Sequence, residues 1–328
     1  MTRVLVTGAG GFLGHALTED LVRSGHRVRA LIRQPALPQD VPGVDTIVGD
    51  IRDPRCAGEA ARGCDAVVHL AGLVHAADDK SLREADYRSI NVDGTRHLLD
   101  AAVAGGVSRF LFASSVKVFG ETTAGCADER TPPDPQTPYA RSKWEAEQAV
   151  AASAVPGRFA TVSLRLPLVY GRTAKGNLYR MIDAIDRGRF PPLPRVRALR
   201  SLLSVKNFVL AVRALLQPKA VARPCYVVTD EVPYSVTDIY DLLRSGLGLP
   251  PPSWRVPLPI LTVTGLCGDL LQLCVRRPLP LTSATLVKLI GQAWYSSEAL
   301  MREAGYRPFD RFDAAVPDLI AHYRQSRP

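Results

Sequence analysis

The sequence predicts an α/β fold, a doubly wound parallel sheet with a smaller, mostly helical C-terminal lobe closing over it. Three observations predict it. Through Arg165, short apolar runs alternate with amphipathic stretches. A glycine-rich turn, Gly8-Ala9-Gly10-Gly11-Phe12-Leu13-Gly14, follows the first apolar run and opens the first amphipathic stretch. Beyond Arg165 that regularity weakens, punctuated by Pro191-Pro192-Leu193-Pro194 and Pro250-Pro251-Pro252.

Residues 3–7, 27–32, 45–48, 66–70, 109–113 and 160–165 read as strands: each is short, rich in Val, Leu, Ile or Phe, and bounded by Gly, Asp or Pro. Residues 12–24, 57–62, 90–104 and 139–152 read as helices. In the second part helices are expected at 178–187, 205–216, 236–247, 284–289 and 297–303. Such alternation gives a parallel sheet covered on both faces, with ligands outside the carboxyl ends of the strands. A length of 328 residues suits two units. Residues 1–170 are expected to form the first and 171–328 the second, with the chain free to interleave between them.

The strand Val4-Leu5-Val6-Thr7 runs into Gly8, Gly11 and Gly14 and then a helix. Gly8 suits a tight turn, Gly11 a close approach of backbone to a pyrophosphate, and Gly14 close packing of helix on strand. N–H groups at Phe12 and Leu13 then face the phosphates. Strand, triplet and helix together predict a Rossmann-type dinucleotide site. The second strand ends Ala30-Leu31-Ile32-Arg33, where an NAD site places a carboxylate for the ribose hydroxyls. None stands there, so NADP is preferred to NAD, with Arg33 on the 2′-phosphate. Asp50 and Ile51 are assigned to the adenine, the carboxylate on its amino group and the alkyl chain on its ring. Leu70, Ala71 and Gly72 end the fourth strand at the same edge. His69 reads as a packed strand histidine.

The stretch Thr137-Pro138-Tyr139-Ala140-Arg141-Ser142-Lys143 places Thr137 as an N-cap and Pro138 as the first helical residue. Tyr139 and Lys143 then share one helix face. A free tyrosine has a pKa of about 10. The adjacent ammonium, together with the positive nicotinamide of an oxidised cofactor, is expected to stabilise the phenolate and lower that value. Ser114 and Ser115 close the fifth strand, where a hydroxyl can orient a carbonyl. A proton-exchanging phenol beside a nicotinamide is what interconverting an alcohol and a ketone requires.

These motifs resemble the extended short-chain dehydrogenase/reductases of the NAD-dependent epimerase/dehydratase group. The matching pieces are Gly8-x-x-Gly11-x-x-Gly14, His69-Leu70-Ala71-Gly72, Asn91-Val92-x-Gly94-Thr95, Ser114-Ser115-x-x-Val118-Phe119-Gly120, Tyr139-x-x-x-Lys143 and Leu164-Arg165-Leu166-Pro167-Leu168-Val169-Tyr170-Gly171. The resemblance implies that Ser115 positions the substrate oxygen, Tyr139 is the acid/base, and Lys143 tunes it and holds the nicotinamide ribose. It also implies that Asn91 braces the central helix and that Pro167 and Val169 border the nicotinamide. Lys175-Gly176-Asn177 and the stretch around Arg200 resemble segments with which sugar-nucleotide members hold a nucleoside diphosphate. That makes Lys175, Asn177 and Arg200 substrate candidates. The leading expectation is therefore reduction or epimerisation at C4 of a nucleotide-diphosphate sugar. Trp294-Tyr295-Ser296-Ser297 and Arg302-Glu303-Ala304-Gly305-Tyr306-Arg307-Pro308 resemble instead 3β-hydroxysteroid dehydrogenase-like members, whose substrates are large and apolar. A sterol dehydrogenase or 3-ketoreductase is thus the second expectation. A dinucleotide-binding sensor without turnover is the third, and the Tyr139/Lys143 pair speaks against it.

The net charge is +9, with ten Lys/Arg between Arg172 and Arg213 against Asp183 and Asp186. That stretch lacks aromatic–basic interleaving and finger or zipper spacing, which excludes nucleic acid in favour of a phosphate-bearing ligand. The six cysteines are widely spaced, with no Cys-x-x-Cys and no histidines at ligand spacing. No metal site or disulfide framework is expected, and the chain is placed in the cytoplasm. The apolar stretch 257–275 is broken by Pro259, Gly265, Gly268 and Asp269. A buried helix is preferred there over a surface lying on a membrane. The helices at 90–104 and 139–152 would suit a homodimer through a four-helix interface.

Overall fold

A computed structural model describes residues 2–34, 43–74, 82–172, 176–217, 221–275 and 282–327, the side chains of 273–275 excepted. Lys175 lies outside the described residues. Seven strands form one sheet: β1 (Arg3–Thr7), β2 (Arg27–Ile32), β3 (Val44–Val48), β4 (Ala66–His69), β5 (Arg109–Ser115), β6 (Ala160–Leu166) and β7 (Cys225–Val227). Their order is β3-β2-β1-β4-β5-β6-β7, and every pairing is parallel. The order reverses between β1 and β4, so the crevice at their carboxyl ends is where a ligand fits.

Helices cover both faces. The Phe12–Arg23 and Val205–Leu216 helices bury Leu17, Leu21, Phe208 and Val212 against one. The Pro54–Ala61, Gly94–Ala104 and Pro138–Ala152 helices bury Ala57, Leu98, Leu99, Ala146 and Val150 against the other. Because β7 and the Val205–Leu216 helix come from beyond residue 170, the chain does interleave, and the sheet unit does not end there. The three-residue β7 had no visible signal, being short and preceded by Pro224.

The second layer is helical: Asn177–Asp186, Val236–Gly246 and Phe312–Ser326 pack around Tyr170, Ile182, Tyr240, Leu243, Phe312 and Tyr323. Sequence reasoning missed the Phe312–Ser326 helix, which carries Pro317 in its interior. The stretch 257–275 departs from expectation. It forms the Leu258–Val275 helix but is not buried: Val263, Leu266 and Leu270 are 59%, 54% and 66% exposed. Only one short helix, Ser283–Ile290, packs along it among the described residues.

Candidate active site

Close packing at the glycine turn builds the first half of the site. Gly8 adopts φ +68, and a Cβ there would lie 2.8 Å from the Ala71 nitrogen. A Cβ on Gly14 would lie 2.2 Å from the Gly8 carbonyl oxygen. Turn, helix and the Leu70–Ala71 segment are thus pressed together at the switch point. Gly11 is the N-cap of the Phe12–Arg23 helix, and no side chain caps it. The helix therefore presents free N–H groups and the positive end of its dipole to the crevice, a cradle for a pyrophosphate. The ring of Phe12 lies against Gly171, where a Cβ would come within 2.8 Å of it, and Leu13 packs on the core.

The adenosine end differs from expectation. Ile32 is buried and Arg33 is exposed at the end of β2. The Asp50 carboxylate is taken by Arg52, whose guanidinium donates to both oxygens at 2.7 to 3.1 Å. This hydrogen bonding, with a smaller contribution from the Arg33 charge, holds Asp50 below the usual carboxylate range. Ile51 is only 5% exposed and turns into the core against Gly94 rather than standing free for an adenine ring. The crevice edge therefore carries two arginines around one carboxylate.

A buried polar chain locks the switch point. Ala71 N–H donates to Thr7 Oγ1 (3.1 Å), and Thr7 lies 2.7 Å from His69 Nδ1. His69 Nε2 lies 3.0 Å from Thr95 Oγ1, which donates to the Asn91 carbonyl. With Thr7 already accepting and Thr95 already donating, the consistent tautomer carries its proton on Nε2. Burial pushes the His69 pKa down to about 3, so it is a neutral connector, as the strand reading expected. Asn91 sits in a π-helical turn, Arg88–Asp93. Its side chain accepts from Leu73 N–H (2.7 Å) and donates to the Leu73 carbonyl (3.1 Å) and Ser142 Oγ (2.9 Å). It ties the segment after β4 to the Pro138–Ala152 helix, the bracing that the resemblance implies. Its polar contacts all go to protein.

That helix starts as its sequence specifies, with Thr137 accepting from Ala140 N–H at 3.2 Å and Pro138 in the first turn. Tyr139, Lys143 and Glu147 follow at four-residue spacing and point toward the end of β5. Lys143 is 6% exposed. Its ammonium donates to the Ala113 carbonyl (2.8 Å) and stands 4.7 Å from the Phe112 ring centre. A Cβ on Gly72 would come within 3.2 Å of Nζ and 3.0 Å of the Asn91 side-chain oxygen, so the segment after β4 lies close against both side chains. Burial pushes the Lys143 pKa down to about 8, opposed by the Glu147 charge. Tyr139 packs edge-on to Tyr87, ring centres 6.3 Å apart. Burial pushes its pKa up to about 12, and the hydrogen-bonding Ser115 hydroxyl is what opposes the rise. In the protein alone burial is the largest influence on Tyr139, and the Lys143 ammonium donates to the Ala113 carbonyl.

Sequence reasoning missed Glu147 and its partner. Glu147 forms a buried ion pair with Arg165 (2.8 Å), both 4% exposed, and accepts from the Ser114 hydroxyl. Arg165 stacks on Phe119, 4.7 Å from its ring centre. Ser114 is thus turned to Glu147, whereas Ser115 accepts from Lys117 N–H at 3.2 Å beside Tyr139. The signal was present: Glu147 extends the Tyr139/Lys143 stripe by one more turn.

Pro167 is buried and Val169 half-buried, on a short strand, Leu168–Tyr170, paired in parallel with Leu202–Ser204. Asn177 is exposed at the start of its helix, beside a cleft lined by Leu168, Val169, Tyr179, Ile182 and Leu319. Arg200 is half-buried, and its Nε has no partner among the described residues. Its guanidinium donates to the carbonyls of Lys288 and Gly291 (2.9 Å to the latter), closing the end of the Ser283–Ile290 helix. The two C-terminal segments singled out in the sequence pack close by. Tyr295 stacks on Phe119 with ring centres 5.8 Å apart, and Tyr306 donates to the Thr229 carbonyl at 3.0 Å.

Comparison with known proteins places this arrangement. The model of the NAD dependent epimerase/dehydratase family matches residues 4–228. The chain belongs to that family. It is 33% identical to the UDP-glucose 4-epimerase of Vibrio cholerae over 266 residues, 78% of this chain and 79% of that one. It is 31% identical to the 2-alkyl-3-oxoalkanoate reductase of Stenotrophomonas maltophilia over 317 residues, 93% of this chain and 94% of that one. Its fold matches that of MoeE5, solved with UDP-glucuronic acid and NAD, with a TM-score of 0.77 and 24% identity over 99% of this chain and all of that one.

Proposed function

We propose that the protein is a nicotinamide-dependent oxidoreductase that reduces the ketone of a large apolar substrate. The fit of the cofactor rests on the uncapped helix behind Gly8, Gly11 and Gly14 and on the crevice between β1 and β4. The bound dinucleotide supplies or accepts the hydride. Phe12 and Leu13 N–H groups would hold its phosphates, and Leu70 to Gly72, Pro167 and Val169 would border it. Ser115 Oγ holds the substrate oxygen. Tyr139 delivers a proton to that oxygen, and a phenol with a pKa of about 12 is fully protonated at neutral pH, which suits reduction. Lys143 keeps a positive charge beneath the site up to about pH 8.

The observation that carries the substrate class is the apolar pair of helices, Leu258–Val275 and Ser283–Ile290. Arg200 does not decide it, because one of its nitrogens meets the carbonyls of Lys288 and Gly291 while its Nε is buried without a partner among the described residues. Apolar residues, Leu168, Val169 and Ile182 among them, also line the cleft at Asn177. A nucleotide-sugar substrate, the leading expectation from sequence, is therefore placed second. NADPH consumption measured against a 3-keto steroid, a 2-alkyl-3-keto acid and a UDP-4-keto sugar tests the choice. Turnover of the sugar nucleotide alone refutes it, and turnover of none restores the sensor reading.

We also favour NADP over NAD, because Arg33 stands exposed at the end of β2, where a ribose-binding carboxylate would stand. Arg33→Asp should shift the NADP/NAD preference toward NAD by roughly tenfold or more, in line with loss of a charge-assisted contact. An unchanged ratio of kcat/KM values removes the claim. A homodimer through the Gly94–Ala104 and Pro138–Ala152 helices completes the proposal, with light scattering on the purified chain as its test.

A further inference from the structure

The Leu258–Val275 helix is apolar around its circumference and yet faces solvent over most of it. Leu258, Ile260, Val263, Leu266, Leu270 and Leu271 are 41% to 66% exposed, and Trp254 just before the helix is 62% exposed. Its inward stripe is narrow. Leu261 meets Leu286 and Ile290, Gly265 lies against the Ser283 backbone, and Asp269 accepts from Ser283. These contacts lie four residues apart, so Val263, Leu266 and Leu270 stand on the opposite side. An all-round apolar helix is stable when protein or lipid surrounds it, and a continuous patch of this kind marks an interaction surface.

Charge indicates what covers it. Asp269 is the one carboxylate on the helix, and it is engaged. Arg255, just before the helix, donates to the Leu193 carbonyl (3.1 Å), and Val256 N–H donates to that of Pro192 (3.0 Å). The strap so anchored carries Arg195 and Arg197, both exposed and without an ion pair among the described residues. Lys288 is half-exposed on the neighbouring helix. An apolar face with a cationic root, on a chain of net charge +9, complements an anionic lipid surface. Among the described residues no helix is long and apolar enough to cross a membrane.

We infer that the Leu258–Val275 helix seats the protein on an anionic bilayer, with Val263, Leu266 and Leu270 in the acyl boundary and Arg195 and Arg197 at the headgroups. The inference shares the Ser283–Ile290 helix with the substrate reading, but vesicle binding is read without turnover, so the two fail separately. The test is co-sedimentation of the full chain with phosphatidylcholine vesicles, with and without phosphatidylglycerol. The protein should pellet with the anionic vesicles, less so at high salt, with a blue shift in tryptophan emission from Trp254. Leu266→Glu/Leu270→Glu should stay in the supernatant with an unchanged thermal melt. Arg195→Glu/Arg197→Glu should weaken binding at least about fivefold per arginine, near 1 kcal/mol each. Wild-type protein that remains in the supernatant with anionic vesicles overturns the inference. So does a lipid-free dimer that Leu266→Glu/Leu270→Glu splits into monomers, which would assign the face to a second copy.

Discussion

At the scale of single residues, the site is one in which burial outweighs attraction between neighbours. Tyr139 is held at about 12 and Lys143 at about 8, both by desolvation. The first value keeps the phenol protonated for reduction; the second puts the loss of the Lys143 charge within reach of experiment. Ketone reduction should be flat near neutral pH and fall as pH rises through about 8, when the ammonium deprotonates. A profile still flat at pH 10 would remove Lys143 from the account. Glu147 raises the Lys143 value, so Glu147→Gln should move the falling limb to lower pH. It should also cost about 3 to 5 kcal/mol of stability by leaving Arg165 buried and unpaired. A limb that stays in place would make Glu147 purely structural.

At the scale of elements, the glycine turn is the tightest piece of construction in the molecule. Gly14→Ala would force a Cβ into the Gly8 carbonyl, and no side chain is there to yield. The variant should lose roughly 1 to 3 kcal/mol of stability and most of its dinucleotide affinity. Wild-type affinity, measured by cofactor fluorescence quenching, would show that the turn can relax. The first six strands and the helices around the site were legible because period and punctuation agree in each: Val4 to Thr7 into Gly8, Thr137-Pro138 before Tyr139. The less legible features depend on partners far away in the chain. Arg200 reads from sequence as free, whereas the Lys288 and Gly291 carbonyls, some ninety residues on, take one of its nitrogens. Ile51 likewise reads as an adenine platform until Gly94 takes it inward. The Leu258–Val275 helix reads as core from its apolarity, but burial depends on what packs against it.

At the scale of the whole molecule, sheet and lobe are joined through a buried acid. Asp230 follows β7 and accepts from Ser204 N–H (2.9 Å) and Asn207 Nδ2 (2.6 Å), while Asn207 also binds the Asp310 carbonyl (2.8 Å). Burial pushes its pKa up to about 6 from an ordinary 3.8. Between those values the unfolded chain ionises while the folded chain keeps the proton. The contribution is therefore complete below about 3.8 and lost as pH rises toward about 6, by an amount of order 3 kcal/mol. The difference in unfolding free energy between wild type and Asp230→Asn, followed by urea titration, should fall across that window. A difference that is constant with pH would show the carboxyl to be ionised throughout.

The central claim is that Tyr139, oriented with Ser115 above a buried Lys143, passes a proton to the oxygen of an apolar ketone. The most direct measurement is the initial rate of NADPH oxidation with a 3-keto steroid or 2-alkyl-3-keto acid, for wild type and Tyr139→Phe side by side. The account predicts turnover by wild type and a loss of roughly 10²- to 10⁴-fold in kcat for Tyr139→Phe, with cofactor binding retained. Equal rates in the two proteins would contradict it.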